Sequence, residues 1–554
     1  MFITIVTVSM TEAGKERVVA SASAVRHRYE RLAAGLESGI QLLERRYTPL
    51  GRFTPGPFQG WGFLWRPAII GFVALCAILA GASFSNTPFK LNLAQTWPFG
   101  VPTVLSNTVP PINETKLMFS IVLVFGGLVL LMRVWLRLAE VVHLHPGSPV
   151  KAWYWMLALW SVPMIVAPPL FSRDVFSYAA QGEMTSRHLS PYFLGPFSIG
   201  SGPWVRPVDP LWGQTPAPYG PLFLFLDGSI AKLTGHNQLL TVMVLRLLEV
   251  SAVALLAWSL PRLARALKRD PGESVVLGAL NPLVLLTLIG GAHNDATMAA
   301  LLVTGIMFAA RKRPILALVF CSLATAIKAP AAIGLLYVAW TWLGSGVRIR
   351  DKWLPFVKAM AIATGVLLVC TFLAGFGFGW VNNLSTPGTV RSWAAPATGA
   401  GLALAGLAHS LGYQVSTASM ITVTRVIGFV AAIGMAIWLL LNAEKRGWIR
   451  SMALSLLLFV VLGPVVQPWY LVWGLVLMAT VYEGREHFWF LLLSITSPFL
   501  GLPGGRQLLG GLVHANLGLM AGLLTILATM LLLPMGHWTQ WTWRESEPLA
   551  LAQD

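Results

Sequence analysis

The sequence predicts an all-α, polytopic membrane protein. Three observations carry that expectation. Hydrophobic residues make up 56% of the 554 and charged residues only 11%, where a soluble domain carries about 25% charged. Mean hydropathy is +0.68. The apolar residues also fall into runs of about membrane-spanning length, far too many for a signal peptide plus one anchor. Together these exclude a soluble enzyme, a disordered chain and a nucleic-acid module. The net charge of +17 therefore reads as Lys and Arg held in cytoplasmic loops.

Residues 1–66 are polar and mixed in charge. They read as a cytoplasmic extension in which 15–46 has the make-up of an amphipathic surface helix. The apolar start, 1–8, lacks the basic region of a cleavable signal. About 13–14 transmembrane helices follow, on apolar runs at 67–83, 118–138, 152–170, 239–260, 273–290, 295–310, 314–327, 329–343, 354–378, 421–441, 451–464, 469–482, 488–503 and 513–534. Two more apolar pieces, 219–233 and 398–412, are assigned as re-entrant or interfacial segments. Charge forces that choice. With the N-terminus inside, the clusters Arg133/Arg137/Lys151, Arg262/Arg265/Lys268/Arg269, Arg311/Lys312/Arg313, Arg348/Arg350/Lys352 and Lys445/Arg446/Arg450 all fall on the cytoplasmic side, as the positive-inside rule prefers. The acidic connection at Glu483 and Glu486 is the one that does not fit. Cys76, Cys321 and Cys370 sit in apolar stretches without CxxC spacing, so no disulfide framework or zinc site is implied.

Almost every unusual polar group maps to the outer face. Ser172-Arg173-Asp174-Val175-Phe176-Ser177-Tyr178 follows the third span. Ser172 is a plausible N-cap for a juxtamembrane helix there. Asp174, Tyr178 and Gln181 share one face of it at i, i+4 and i+7, and Glu183 is the next carboxylate. A carboxylate held at the water–lipid boundary suits a general base; the plainer alternative is an acid favouring a helix N-terminus. Tyr192 in Ser190-Pro191-Tyr192 and Tyr219 in Ala217-Pro218-Tyr219-Gly220-Pro221 stand on stiff turns, where they either brace the loop or line a sugar groove. Gly291-Ala292-His293-Asn294-Asp295 forms a polar outer turn without the second ligand a metal site needs. Lys328, alone in Ile327-Lys328-Ala329-Pro330, either snorkels or binds a lipid phosphate, and Arg506 in Gly504-Gly505-Arg506 is similar. Gln467-Pro468-Trp469-Tyr470 is a proline-bracketed break with two aromatic rings. Within a span, Arg246 and Glu249 stand at i, i+3 and invite pairing, and Arg425 lies a turn into its span.

This ordered set of motifs resembles the actinobacterial polyprenol-phosphate-mannose-dependent α-(1→6)-mannosyltransferases, which build the mannan backbone of lipomannan and lipoarabinomannan. The resemblance spans roughly 60–540 of the 554 residues. It implies a GT-C fold, with a transmembrane catalytic domain over 67–541 whose outer loop 171–238 carries the catalytic helix, and a cytoplasmic tail over 542–554. It further implies a multi-pass protein of the cell inner (plasma) membrane whose active site opens on the periplasmic face. The partners implied are polyprenyl-phosphate-mannose, a mannosylated glycolipid acceptor and membrane lipids, with no nucleic acid. In this family the catalytic acid lies in the first large outer loop, a position that matches Asp174 here. GT-C enzymes often show two adjacent acids at that point. This chain has Arg173-Asp174 instead, which weighs against a metal-dependent version.

The expected reaction inverts β-linked mannosyl phosphate into an α-linkage, with Asp174 as base and His293 as the alternative base. Lys328, Arg506, Arg173 and His293 are the candidates for the donor phosphate. Tyr178, Gln181, Glu183, Tyr192, Tyr219, Asp295, Gln467, Trp469 and Tyr470 are the candidates for the sugar and acceptor sites. No cofactor and no metal is expected, and no P-loop or GxGxxG turn for a nucleotide sugar is present. The competing readings are an arabinofuranosyl or protein O-mannosyl transferase of the same fold, or a transporter or flippase of a lipid-linked sugar.

Overall fold

The computed structural model describes residues 64–84, 87, 97, 114–507, 522 and 525, without the side chains of 114, 387 and 505–507. The extension up to residue 63, the run 513–534 apart from 522 and 525, and the tail 542–554 lie outside the described residues. Within them the chain is helical, apart from a two-residue antiparallel pair, β1 (Gly501–Leu502) with β2 (Arg506–Gln507). The helices that matter here are α1 (Trp65–Ser83), α2 (Glu114–Leu144), α3 (Val150–Val166), α4 (Asp174–Ser186), α5 (Pro210–Gly213), α6 (Pro221–Leu233), α7 (Gln238–Ala266), α8 (Asp295–Ala310), α9 (Pro314–Ile327), α10 (Ala332–Thr341), α11 (Trp353–Ala374), α12 (Pro396–Ser410), α13 (Thr417–Leu441), α14 (Trp448–Val461), α15 (Pro468–Met478) and α16 (Arg485–Thr496).

Five of these, α1, α2, α7, α11 and α13, are long and apolar enough to cross a membrane. The protein is thus a multi-pass membrane protein. Among the shorter apolar helices, α8 and α9 coincide with the runs expected at 295–310 and 314–327, and α14 lies three residues before 451–464, while α3 and α15 stop short of 152–170 and 469–482. The reason is local. The third run stops at Val166 because Pro168-Pro169 cannot continue a helix. The run 273–290 is no single helix. It winds as π-helix over 275–279 and again over 284–289, and the break falls at Asn281-Pro282. There Asn281 replaces the missing backbone bonds: its side chain accepts from Leu283 N at 3.0 Å and donates to Leu277 O and Ser494 Oγ.

Buried indoles tie the helices together. Each presents an apolar body to the core and an N–H that must find an acceptor where water is absent. Trp160 donates to Ala68 O and Trp135 to Val276 O, each at 2.9 Å. The acidic 483–486 connection finds its neutralising partners here as well: Arg450 binds both Glu483 and Glu486, and Arg269 also reaches Glu483. Arg246 and Glu249 do not pair. Arg246 donates to the carbonyls of Ile165, Ala167 and Gly290. Glu249 accepts from Thr297 N and Oγ1 at 3.0 and 2.9 Å. Three carbonyls at broken helix ends outcompete one carboxylate for the guanidinium. Arg425 acts in the same way, donating to Gly388 O and Val390 O and to Thr398 Oγ1.

Two short helices, α4 and α6, pack face to face. Gly182 makes that crossing close, since a Cβ there would lie 2.5 Å from the Asp227 carbonyl oxygen. At the start of α6, Gly220 N donates to Ile327 O at 2.9 Å, and a Cβ on Gly220 would overlap the backbone of Ala326. This contact sets Tyr219 beside Lys328. Gly220→Ala is therefore expected to lower thermal stability by about 1–3 kcal/mol, the usual cost of overpacking, and to reduce activity with it. Fluorescence-monitored unfolding in detergent checks this. An unchanged melting temperature with unchanged activity would show that the two segments part easily.

Candidate active site

Asp174 opens α4. Arg173, not Ser172, is the N-cap, and its side chain caps nothing. Ser172 still contributes, because its hydroxyl accepts the Asp174 N–H at 3.1 Å. The Asp174 carboxylate accepts from Trp212 Nε1 at Oδ1, at 3.1 Å. Its other oxygen, Oδ2, faces His293 Nδ1 at 3.7 Å. Burial pushes the Asp174 carboxyl up to about 6, while the Lys328 charge and the Ser172 and Trp212 hydrogen bonds pull the other way. A carboxyl placed there is ionised at neutral pH yet basic enough to accept a proton in a transition state.

His293 reaches this point from the turn between the second π-helical stretch and α8. Gly290-Gly291 and a left-handed Ala292 (φ +53°) shape the turn. The imidazole stacks on Trp469 with ring centres 3.8 Å apart, and the Tyr178 hydroxyl lies 3.5 Å from Nδ1. Burial, and then the nearby Lys328 charge, hold His293 well below its ordinary range. It is neutral, and Nε2 meets no hydrogen-bond partner among the described residues. Both side-chain atoms of the adjacent Asn294 are in the same condition.

Lys328 stands where α9 ends in extended backbone. It does not snorkel. Its ammonium donates to both oxygens of Asp295, at 3.0 and 2.9 Å, and lies 4.6 Å from the ring centre of Tyr470, 5.6 Å from Trp473 and 5.7 Å from Tyr219. Trp473 Nε1 also donates to Asp295 Oδ1 at 2.6 Å. Tyr219 and Tyr178 meet edge to face at 5.2 Å, which closes the ring of aromatic groups back to Asp174. One site is thus assembled from Asp174, Tyr178, Tyr219, His293, Asp295, Lys328, Trp469 and Tyr470, with Gln467 as the N-cap of the helix that carries the last two.

Other sequence candidates go elsewhere. Arg173 donates to Pro207 O at 2.8 Å and to Arg206 O at 3.3 Å. Glu183, at the far end of α4, is held by Arg187 and His236 at 2.6 and 2.7 Å. Tyr192 packs with Ala217 and Leu224 in a small cluster behind Tyr219, which packs against it. Gln181 is buried, and its Oε1 finds no partner among the described residues. The side chain of Arg506 is outside the described residues. Sequence reading did not single out Trp212 or Trp473. Trp473 was findable, since it stands at i+4 from Trp469 on one helix. Among the described residues, no group of three or more His, Cys, Asp and Glu side chains is placed to ligate a metal ion.

Comparison with known proteins bears on what this site serves. Residues 69–344 match the family model of the N-terminal domain of alpha-(1->6)-mannopyranosyltransferase, and 397–532 match a model described as MptB C-terminal domain. The chain is 30% identical over 476 residues to alpha-(1->6)-mannopyranosyltransferase A of Mycobacterium tuberculosis, covering 82% of this chain and 86% of that protein. The chain belongs to the alpha-(1->6)-mannopyranosyltransferase family. It is, with that family, a hexosyltransferase. It is also 31% identical over 386 residues to alpha-(1->6)-mannopyranosyltransferase B of Corynebacterium glutamicum, over 64% of this chain and 63% of the relative. A probable alpha-(1->6)-mannopyranosyltransferase of Mycolicibacterium smegmatis is 35% identical over 361 residues, 58% of this chain and 64% of the relative. The site unites both matched segments of this mannosyltransferase. Asp174, His293, Asp295 and Lys328 come from the first, Trp469 and Tyr470 from the second.

Proposed function

We propose that the chain is an inverting GT-C transferase that moves mannose from polyprenyl-phosphate-mannose to the 6-hydroxyl of a mannoside glycolipid, extending the α-(1→6)-mannan backbone of lipomannan. The active site opens on the periplasmic face of the plasma membrane, with both termini cytoplasmic. The observation that carries this reading is one partly buried carboxylate, Asp174, set 3.7 Å from a neutral imidazole and within the field of Lys328, in a chain of a mannosyl-transferring family.

The chemistry balances without a cofactor. The acceptor 6-hydroxyl oxygen forms a bond to the anomeric carbon. The bond from that carbon to the phosphate oxygen breaks, and its electron pair leaves with polyprenyl phosphate. The hydroxyl proton goes to Asp174. Attack from the face opposite the phosphate turns the β-linkage into an α-linkage through an oxocarbenium-like transition state. A phosphate ester is already a weak base, so no general acid is needed, but its growing charge needs a cation. Among the described residues Lys328 is the cation set within the site, and the surrounding rings suit the faces of pyranoses. His293 is too weakly basic in its buried setting to compete with Asp174 as the base.

Membranes supplied with labelled polyprenyl-phosphate-mannose and short α-mannosides test this. The expected product is an α-(1→6)-linked extension by linkage analysis. Arabinofuranose transfer, mannose on protein, or lipid-linked sugar moved across vesicles without transfer would replace it with one of the competing activities. The pH dependence follows from Asp174. The base must be ionised, so activity is expected to be flat above about pH 6 and to fall close to tenfold per pH unit below it. Activity that rises as pH falls through 6 would mean that the carboxyl works protonated.

A further inference from the structure

Arg173 and Asp174, side by side at the start of α4, both reach the same stretch of chain. Arg173 holds the carbonyls of Arg206 and Pro207, and Asp174 Oδ1 accepts the Trp212 N–H. The stretch between them is built, not loose. Asp209 caps α5 by accepting from Leu211 N at 3.0 Å. Gly213 sits flush against the Phe197 ring, and Gly195 against the backbone of Gln214. The indole N–H is therefore presented to the carboxylate from a braced position. The two oxygens of Asp174 differ as a result. Oδ1 is filled, while Oδ2 faces His293 at 3.7 Å, beyond hydrogen-bond length.

We propose that Trp212 is a positioning residue for mannosyl transfer: its N–H occupies Oδ1 and turns the carboxylate so that Oδ2, on the His293 side, takes the proton of the acceptor hydroxyl. This rests on the reading of Asp174 as the base. Besides Trp212, the groups that bear on Asp174 charge are Lys328, Ser172, Asp209, His293, Tyr178, Tyr219 and Tyr470. All of them stay in place when Trp212 alone is changed. Loss of a hydrogen bond to the ionised form must then raise the pH at which the base is half-protonated.

The test uses the full chain in membranes, with Trp212→Phe and Trp212→Tyr, both of which keep a large ring and lack the indole N–H. Thermal unfolding confirms that each is folded. The acid limb of the transfer rate is expected to move upward by about one pH unit, and kcat to fall roughly tenfold with the donor KM little changed. Leu211→Ala, an exposed neighbour on the same short helix, is expected to leave the profile where it is. Acid limbs that superimpose on the parent for both Trp212 variants overturn the proposal, as does an equal shift in Leu211→Ala. Asp174→Asn separates the two layers. If it is inactive while the Trp212 profiles are unmoved, only the role of Trp212 falls. If it retains parental transfer, the base itself is misassigned. Infrared titration of the Asp174 carboxyl, by difference against Asp174→Asn, reads the same shift without turnover.

Discussion

Asp174→Asn is expected to fold, to keep its lipid donor, and to lower mannosyl transfer by at least about 100-fold, the low end of what a positioned base contributes. Asn keeps the shape of Asp, an oxygen for the Trp212 N–H, and the backbone N–H that donates to Ser172 Oγ. It removes only the ability to take a proton. The side chain is partly buried and carries no ion pair shorter than 3.7 Å among the described residues, so stability is expected to hold or rise slightly as a partly desolvated charge is removed. Labelled mannose transfer and thermal unfolding, measured on one preparation, separate the two effects. Turnover within a few-fold of the parent, with an unmoved pH profile, would remove Asp174 from the chemistry.

Lys328→Ala is expected to damage both the fold and donor use, and a second substitution separates the two. The ammonium neutralises Asp295, which is fully buried. Breaking such a pair leaves an uncompensated charge and costs about 3–5 kcal/mol. Combining Lys328→Ala with Asp295→Asn removes that charge as well, so thermal stability should recover most of the loss. Donor use should not recover, because the phosphate still lacks its cation. We expect the double variant to stay at least about tenfold down in kcat/KM for polyprenyl-phosphate-mannose, as the loss of one charge-assisted contact implies. Full recovery of transfer would mean that Lys328 serves Asp295 alone.

Much of this molecule was legible in its residues. Composition announced the membrane, and the apolar runs located the long helices. The two pieces assigned as re-entrant or interfacial, 219–233 and 398–412, form the helices Pro221–Leu233 and Pro396–Ser410. Span lengths were less legible, because a run of apolar letters does not show where a helix unwinds. Asn281-Pro282 and Pro168-Pro169 break runs that hydropathy alone carries through. Pairing was least legible. Spacing offered Glu249 to Arg246, yet broken helix ends elsewhere supplied carbonyls that bind the guanidinium better. Spacing also left Lys328 without a partner, although its partner lies 33 residues away.

The sequence by itself determined which side chains could do chemistry in this protein, since few polar groups survive in so apolar a chain and each must be satisfied or used. It placed Asp174, His293, Lys328 and the 467–470 break at the ends of spans, where such groups cost least. Only the tertiary structure decided which of them share a pocket and in what state. Burial raises Asp174 and keeps His293 neutral, Asp295 claims Lys328, and Trp212 arrives from a loop that no periodicity marks. Charge state and hydrogen-bond choice depend on distance and on the exclusion of water. Both arise only when separate helices pack around the same few atoms.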